Sequence, residues 1–223
     1  MPCARRTLCG MGMREESRPS GPAPEGDRVA IAGVILAGGE SRRMGRPKGL
    51  LPIAHATLIE TVVARVREAC GRVLLVTNTP ETYRHLGIPM VPDALPERRS
   101  LVGIYTGLLH TNGPAFVCAC DMPFLNPGLI RHLGALIAGV DAVVPRHDGA
   151  YEPLHAVYTP ACLHPIRRCL ARGDRNTGFL SEIQVRTVDA EELRPFDPDL
   201  RSFVNINTPE DYARILTERR SSV

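Results

Sequence analysis

The sequence predicts an α/β fold of three layers, with helices on both faces of a mostly parallel sheet. Short apolar runs bounded by breakers alternate with longer amphipathic segments, which is typical of parallel strands joined by crossover helices. The length of 223 residues and the hydrophobic content of 43% suit one domain with a substantial core. Residues 1–27 are rich in Pro, Gly, Arg and Glu and poor in apolar residues. We therefore predict a disordered N-terminal extension over 1–27 and a single domain over 28–223.

The first half of the chain shows the alternation most clearly. The apolar run at 29–36 is flanked by breakers, as expected of a buried strand, and 55–70 has apolar residues at helical spacing. The elements predicted next are a strand at 73–77, a short helix at 79–86, a strand at 89–91, a helix at 101–110, a strand at 115–119, a helix at 126–137 and a strand at 141–144.

The second half of the chain is less regular. The pattern predicts a strand at 152–158, a helix at 160–171, and short strands at 185–188 and 202–204. A last helix begins after Thr208, which is a favourable N-cap residue, and Pro209 suits its first position.

Composition excludes several classes of protein. The net charge of +3 is too small for general nucleic-acid binding, and a chain without Trp has few aromatic rings on which bases could stack. Because no apolar run reaches the length of a membrane span, we expect no membrane association. The seven cysteines are an odd number and lie mostly in apolar segments, which predicts reduced thiols and a cytoplasmic location.

The segment V-I-L-A-G-G-E-S-R-R-M-G-R-P-K-G at 34–49 joins an apolar strand to a glycine pair and four cations. Ligands bind beyond the carboxyl ends of parallel strands, and turned glycine loops offer backbone N–H groups to anions. Arg43 and Lys48 add full charges, so the loop is predicted to hold a polyphosphate. Its spacing fits neither a P-loop nor a dinucleotide-binding fingerprint. A solvated basic loop is the alternative that these residues alone leave open.

Asp121 follows the predicted strand at 115–119, where a carboxylate is costly without a partner or a function. Magnesium binds one or two carboxylates together with phosphate oxygens, so Asp121 is the predicted metal ligand. Asn205 and Asn207 flank one residue and would share a face in an extended chain. We expect both to face the same polar substrate, although either could instead form an Asx-turn.

The string L-A-G-G-x-S-x-R-M-G-x-x-K at 36–48 resembles the signature of nucleotidyltransferases, and most closely that of the molybdenum cofactor guanylyltransferases. The resemblance covers residues 29–218 approximately, through matches in chain order. These are V-T-N at 76–78, V-P-D at 91–93, C-D-M-P at 120–123, E-P-L-H-A-V-Y at 152–158 and N-I-N-T-P-E-D at 205–211. It implies a Rossmann-like nucleotidyltransferase sheet.

The resemblance also implies a reaction, in which GMP passes from GTP to the terminal phosphate of molybdopterin and pyrophosphate is released. It implies Mg²⁺ as cofactor, and transient contact with molybdenum-insertion proteins and acceptor molybdoenzymes. The expected catalytic residues are Lys48, Arg43 and Asp121, with Asp121 as metal ligand. The residues expected to bind GTP are Leu36, Ala37, Gly38, Gly39, Lys48, Asn78, Asp93 and Asp121, and those expected to bind the pterin substrate are Asn205, Asn207 and Arg175.

Two features bear on specificity. The family's Gly-Pro before its third helix is replaced by Arg99-Ser100, which leaves nucleotide contacts there open, while Gly103 is retained. Related cytidylyltransferases read L-A-A-G and D-Q-P, so Gly38 favours guanine because it leaves more room for a purine. A cytidylyltransferase and a non-catalytic nucleotide-binding module remain the alternatives.

His155 is expected to have a packing or orienting role.

Overall fold

The computed structural model describes residues 31–38, 47–97 and 99–220, so the predicted extension at 1–27 lies outside the described residues. The strands are β1 (Ala32–Leu36), β2 (Pro52–Ile53), β3 (Ala56–Thr57), β4 (Arg72–Val76), β5 (Met90–Val91), β6 (Ala115–Ala119), β7 (Ala142–His147), β8 (Ala150–Tyr151), β9 (His155–Tyr158) and β10 (Val185–Asp189). The α-helices are α1 (Leu58–Ala69), α2 (Pro80–Tyr83), α3 (Ser100–His110), α4 (Pro127–Ala135), α5 (Leu163–Arg172), α6 (Ala190–Leu193) and α7 (Pro209–Arg220).

The central sheet runs in the order β10-β7-β9-β6-β1-β4-β5, and β8 pairs with β7 at one end. β1 is parallel to both β4 and β6, β4 is parallel to β5, and β10 is parallel to β7. β9 is antiparallel to both of its neighbours. The mostly parallel Rossmann-like sheet predicted from the sequence is therefore confirmed.

Both faces of the sheet are buried, as expected of parallel strands covered by helices. Val34 and Ile35 are adjacent on β1 and both fully buried, yet they belong to different hydrophobic clusters. Ile35 lies in the cluster that α1 and α4 complete, and Val34 lies in the cluster that α3 and α5 complete. The three-layer arrangement follows directly from this alternation.

A third, smaller cluster joins the β2–β3 hairpin to the C-terminal part of the chain. Leu51 and Ile53 pack there with Leu58 at the start of α1, with Ile206, and with Ile215 of α7. This packing brings the segment just before α7 next to the segment just before β2.

The helix predicted at 55–70 begins later than predicted, because the β2–β3 hairpin precedes it. Its start at Leu58 is fixed by a capping box, in which the Thr57 hydroxyl accepts from Glu60 N and the Glu60 carboxylate accepts from Thr57 N. The helix predicted after Thr208 is confirmed, since Asp211 N donates to the Thr208 hydroxyl at 3.1 Å.

The strand predicted at 202–204 is wrong, because residues 201–203 form a 3-10 turn. The Asp197 carboxylate accepts from Arg201 N at 3.0 Å and from Ser202 N at 2.7 Å, which fixes the turn. β8 was not predicted, and of the strand predicted at 152–158 only residues 155–158 form a strand, β9. None of the helices in the described ranges is long and apolar enough to cross a membrane.

Candidate active site

Four polar or glycine positions follow four neighbouring parallel strands. Asp121, Gly38, Asn78 and Asp93 come just after β6, β1, β4 and β5, which are adjacent in that order. The carboxyl ends of parallel strands lie at one edge of a sheet, where ligands of such folds bind. We call this row the carboxyl edge.

Asn78 and Asp93 form a reciprocal pair at one end of the carboxyl edge. Asn78 Nδ2 donates to Asp93 Oδ2 at 2.7 Å, and Asp93 N donates to Asn78 Oδ1 at 2.9 Å. The pair holds the carboxylate in a fixed direction, and among the described residues no side chain or backbone group donates to Asp93 Oδ1.

Gly38 lies directly beside this pair. A Cβ atom added at Gly38 would lie 3.5 Å from Asp93 Oδ2, which is an ordinary van der Waals contact. An alanine would therefore fit the protein, and its methyl group would take up space next to the carboxylate.

Lys48, Asp121 and Asn207 meet at the other end of the carboxyl edge, after β6. Lys48 Nζ donates to Asp121 Oδ2 at 3.2 Å and to Asn207 Oδ1 at 2.9 Å. The Lys48 and Asp121 side chains are 19% and 14% exposed, so solvent screens their pairing only in part. The positions are separated by up to 159 residues in sequence, and the structure brings them together.

Separate elements position the three side chains. Lys48 opens a 3-10 turn whose Leu50 packs on the core. Asp121 follows β6, and its carbonyl accepts from Ile206 N at 3.0 Å. Ile206 is fully buried in the third cluster, and this fixes the neighbouring Asn207.

The structure places the remaining predicted residues less centrally. Gly39 and Arg43 lie outside the described residues. Ala37 N donates to Val76 O at 2.9 Å, and the Leu36 carbonyl accepts from Cys120 N, so both backbones continue the sheet. Their predicted contacts with GTP stay predictions.

Asn205 and Asn207 do not make the same kind of contact. Asn205 Nδ2 donates to the carbonyl of Phe203 at 3.4 Å, whereas Asn207 binds Lys48. The structure therefore brings Asn207 alone into the centre described above. Arg175 is exposed on the loop that follows α5, and its carbonyl accepts from the Cys169 thiol.

Arg99, which replaces the glycine expected from the resemblance, ties the start of α3 to the loop 174–176. Its Nε and Nη2 donate to Asn176 Oδ1 at 3.1 Å and 2.9 Å, and Nη2 also donates to the Asp174 carbonyl. Asn176 Nδ2 in turn donates to the Ser100 hydroxyl at 2.8 Å. The sequence flagged Arg99-Ser100 as unusual, but it gave no sign of this distant partner.

His155 is fully buried on β9, and within the described residues neither ring nitrogen has a hydrogen-bond partner. Its ring lies edge-on to Phe116, with centroids 5.1 Å apart, and 4.7 Å from the Phe203 ring. Burial lowers the pKa of His155 to about 3, so the ring is neutral at physiological pH. The packing role expected from the sequence is confirmed.

The donor set at this centre is small for a divalent metal. In the part of the chain that the structure describes, no three His, Cys, Asp or Glu side chains cluster as a ligand set. Asp121 provides a single carboxylate beside the Asn207 amide oxygen. Magnesium usually binds one or two carboxylates and completes its shell with substrate phosphates and water. The site therefore fits a metal that arrives with a nucleotide.

A Rossmann-like sheet with a lysine–aspartate centre and an Asn–Asp pair at its carboxyl edge defines the class, a nucleotidyltransferase. More specifically, the chain belongs to the family of MobA-like NTP transferases, whose family model matches residues 33–187. The match to the family covers β1 through most of β10.

The relatives agree with this assignment. A molybdenum cofactor guanylyltransferase of Desulfosudis oleivorans is 40% identical over 82% of this chain and 92% of its own length. A probable molybdenum cofactor guanylyltransferase of Pelotomaculum thermopropionicum is 37% identical over 85% of this chain and 95% of its own. The crystal structure of a molybdopterin-guanine dinucleotide biosynthesis protein A from Archaeoglobus fulgidus superposes with a TM-score of 0.75, at 31% identity over 86% of this chain and all of that one.

Proposed function

We propose that this protein transfers GMP from GTP to the terminal phosphate of molybdopterin and releases pyrophosphate. The observation that carries the proposal is the 40% identity to a guanylyltransferase over most of both chains. The Lys48–Asp121–Asn207 centre supports it, because its parts come from distant segments and meet at the edge where nucleotides bind.

The reaction joins an oxygen of the acceptor phosphate to the α-phosphorus of GTP, and the bond from that phosphorus to the pyrophosphate oxygen breaks. Such transfers depend on positioning and on stabilisation of negative charge rather than on a covalent enzyme intermediate. Lys48 is proposed to move from Asp121 onto the α-phosphate, where its ammonium stabilises the charge of the transition state. The glycine loop and Arg43 are proposed to hold the leaving phosphates.

We propose Mg²⁺ as the cofactor and Asp121 as its protein ligand. When bound, the metal would neutralise charge on the phosphates of GTP. Asn207 is proposed to orient the acceptor phosphate, and its shared contact with Lys48 beside Asp121 supports this role.

The base of GTP is proposed to lie at the Asn78–Asp93 end of the carboxyl edge. An ionised carboxylate accepts hydrogen bonds only, and guanine presents two adjacent N–H donors, at N1 and N2. Transient contact with molybdenum-insertion proteins and acceptor molybdoenzymes, and a cytoplasmic location, remain part of the proposal.

The test is pyrophosphate release in the presence of magnesium and molybdenum-loaded molybdopterin, with GTP, CTP or ATP offered separately. We expect release with GTP alone. Release with CTP would leave the reaction class intact and overturn the base assignment. Binding of GTP without release from any nucleotide would favour a nucleotide-binding module over an enzyme.

A further inference from the structure

The β7–β8 hairpin ends in a carboxylate that the proposed reaction does not use. Glu152 follows β8 directly, and its side chain is half-buried. Among the residues that the structure describes, no group donates a hydrogen bond to its carboxylate and no cation pairs with it. The charges that bear on Glu152 are His147, with which it interacts favourably, and Asp148.

A half-buried carboxylate without a partner is costly, because it loses hydration and gains no hydrogen bond in return. The effect on Glu152 is visible as a pKa raised by burial, which His147 only partly offsets. Such a group gains most from a ligand that offers N–H donors to both of its oxygens.

The backbone places Glu152 beyond the Asp121 end of the carboxyl edge. Glu152 N donates to the carbonyl of Pro145 on β7 at 2.9 Å. β7 is parallel to β6 and lies two strands from it, and β6 leads into Asp121, so the carboxyl ends of these two strands are about 10 Å apart across the sheet. The Asn78–Asp93 pair lies on the opposite side of β6, so the two sides can hold different substrates.

One segment connects the hairpin to the Lys48 centre. The Phe203 ring stacks on His147 of β7 with centroids 5.6 Å apart. Four residues further along, Asn207 binds Lys48. Four residues span at most about 14 Å, which bounds the distance from Phe203 to Asn207. The β7–β8 hairpin and the Lys48–Asp121–Asn207 centre are therefore within reach of one elongated acceptor molecule.

We propose that Glu152 binds the pterin ring of the acceptor, through the N–H donors at N3 and at the 2-amino group. This inference rests on the proposed function and deepens it. Pterin and guanine carry the same 2-amino-4-oxopyrimidine edge, which presents two adjacent donors to a carboxylate. The enzyme then uses one carboxylate for each ring, Asp93 for guanine and Glu152 for pterin, on either side of the centre at Asp121.

The test is the steady-state kinetics of Glu152→Gln with molybdopterin and GTP varied separately. A contact with the remote ring of the acceptor contributes equally to ground state and transition state. We expect KM for molybdopterin to rise about tenfold or more, while kcat at saturating acceptor and KM for GTP stay unchanged. Glu152→Asp should fall between Glu152→Gln and the wild type.

Asp148→Asn is the matched control, because it removes one negative charge from the same hairpin at a side chain that is 88% exposed. It should leave KM for molybdopterin unchanged. Neopterin, which has the pterin ring but no phosphate, should inhibit the wild type competitively against molybdopterin and inhibit Glu152→Gln much less.

The possible outcomes separate this inference from the proposed function. A folded Glu152→Gln enzyme with an unchanged KM for molybdopterin overturns the role of Glu152 and leaves the guanylyltransferase reaction standing. An equal rise of KM for GTP also overturns the role. A wild-type enzyme that never transfers GMP to molybdopterin refutes the proposed function, and the pterin contact with it.

Discussion

Lys48 is the only lysine in a chain that contains 26 arginines. An ammonium group is a compact point charge, whereas a guanidinium is a wide planar fork. The contacts of Lys48 Nζ with one carboxylate oxygen and one amide oxygen suit the compact group. The single lysine therefore lies where the proposed reaction needs a compact positive charge at the α-phosphate.

The first prediction concerns Lys48→Arg. We expect pyrophosphate release to fall about 10²-fold, because the planar fork cannot occupy the same position at the transition state. Arg65→Lys is the control, since Arg65 is an exposed α1 residue that pairs with Glu68. An amine-acylating reagent should modify Lys48 and the N-terminal amine, and magnesium with GTP should protect Lys48. Wild-type rates in Lys48→Arg would contradict this role.

The second prediction concerns Gly38→Ala. The added methyl group lies 3.5 Å from Asp93 Oδ2 and should narrow the space for a purine without disturbing the fold. We expect kcat/KM for GTP to fall about tenfold relative to the value for CTP. Gly71→Ala, whose Cβ would meet nothing within 4 Å, should change neither value. An unchanged GTP-to-CTP ratio in Gly38→Ala would show that position 38 does not select the base.

At the scale of elements, the Arg99 contacts hold the loop 174–176 against the start of α3. Retained Gly103 permits α3 to approach the sheet closely, since a Cβ there would lie 2.9 Å from Leu36 Cδ1. Through Arg99 and Ser100, the start of α3 contacts the loop that carries Arg175.

The third prediction is that Arg99→Ala loosens this loop. The change removes the donors to Asn176 and to the Asp174 carbonyl, so amide hydrogen exchange at 174–177 should speed up. We expect a loss of about 1–3 kcal/mol in local stability. Arg146→Ala, which removes an exposed pairing with Asp189, should leave exchange at 174–177 unchanged. Unaltered exchange in Arg99→Ala would contradict the tether.

The fourth prediction concerns acid stability through His155 on β9. Its pKa is lowered from 6.5 to about 3 in the folded protein, mainly by burial. The unfolded chain therefore binds more protons between these values, and stability is lost as the pH falls from 6.5 towards 3. At about pH 5 the loss from this group is about 2 kcal/mol.

Replacement of His155 by a residue that does not titrate removes this dependence. Denaturant unfolding at about pH 5 and about pH 8 should therefore differ by about 2 kcal/mol less in His155→Phe than in the wild type. His155→Leu should show the same reduction, which separates titration from ring packing. A variant that keeps the wild-type difference would show that His155 does not cause it.

At the scale of the molecule, most helices and strands could be predicted from the sequence, because their hydrophobic periodicity extends over enough residues to be recognised. The antiparallel direction of β9 could not be predicted, because an apolar run looks the same whether the strand pairs in parallel or antiparallel. The β2–β3 hairpin was missed because two-residue strands are too short to show alternation. The strand predicted at 202–204 failed because the Asp197 carboxylate fixes a turn there, through a contact between side chain and backbone.

The site was predictable only where a motif marked it. Lys48 and Asp121 were predicted from their motifs, and the structure places them 3.2 Å apart. Asn205 and Asn207 would share a face only in an extended chain, but the Asn205 side chain donates back to the carbonyl of Phe203. The partners of Arg99 lie about 75 residues away in a loop, and no local pattern could have indicated them.

The most direct test of the central claim follows the α-phosphate of GTP. GTP labelled at that phosphate is incubated with molybdopterin and magnesium, and the label is located after separation of the products. We predict that the wild type places the label in the molybdopterin–guanine dinucleotide. Asp121→Asn should bind GTP and transfer the label at least about 10²-fold more slowly. Transfer at the wild-type rate in Asp121→Asn, or no label on molybdopterin with the wild type, would contradict the account.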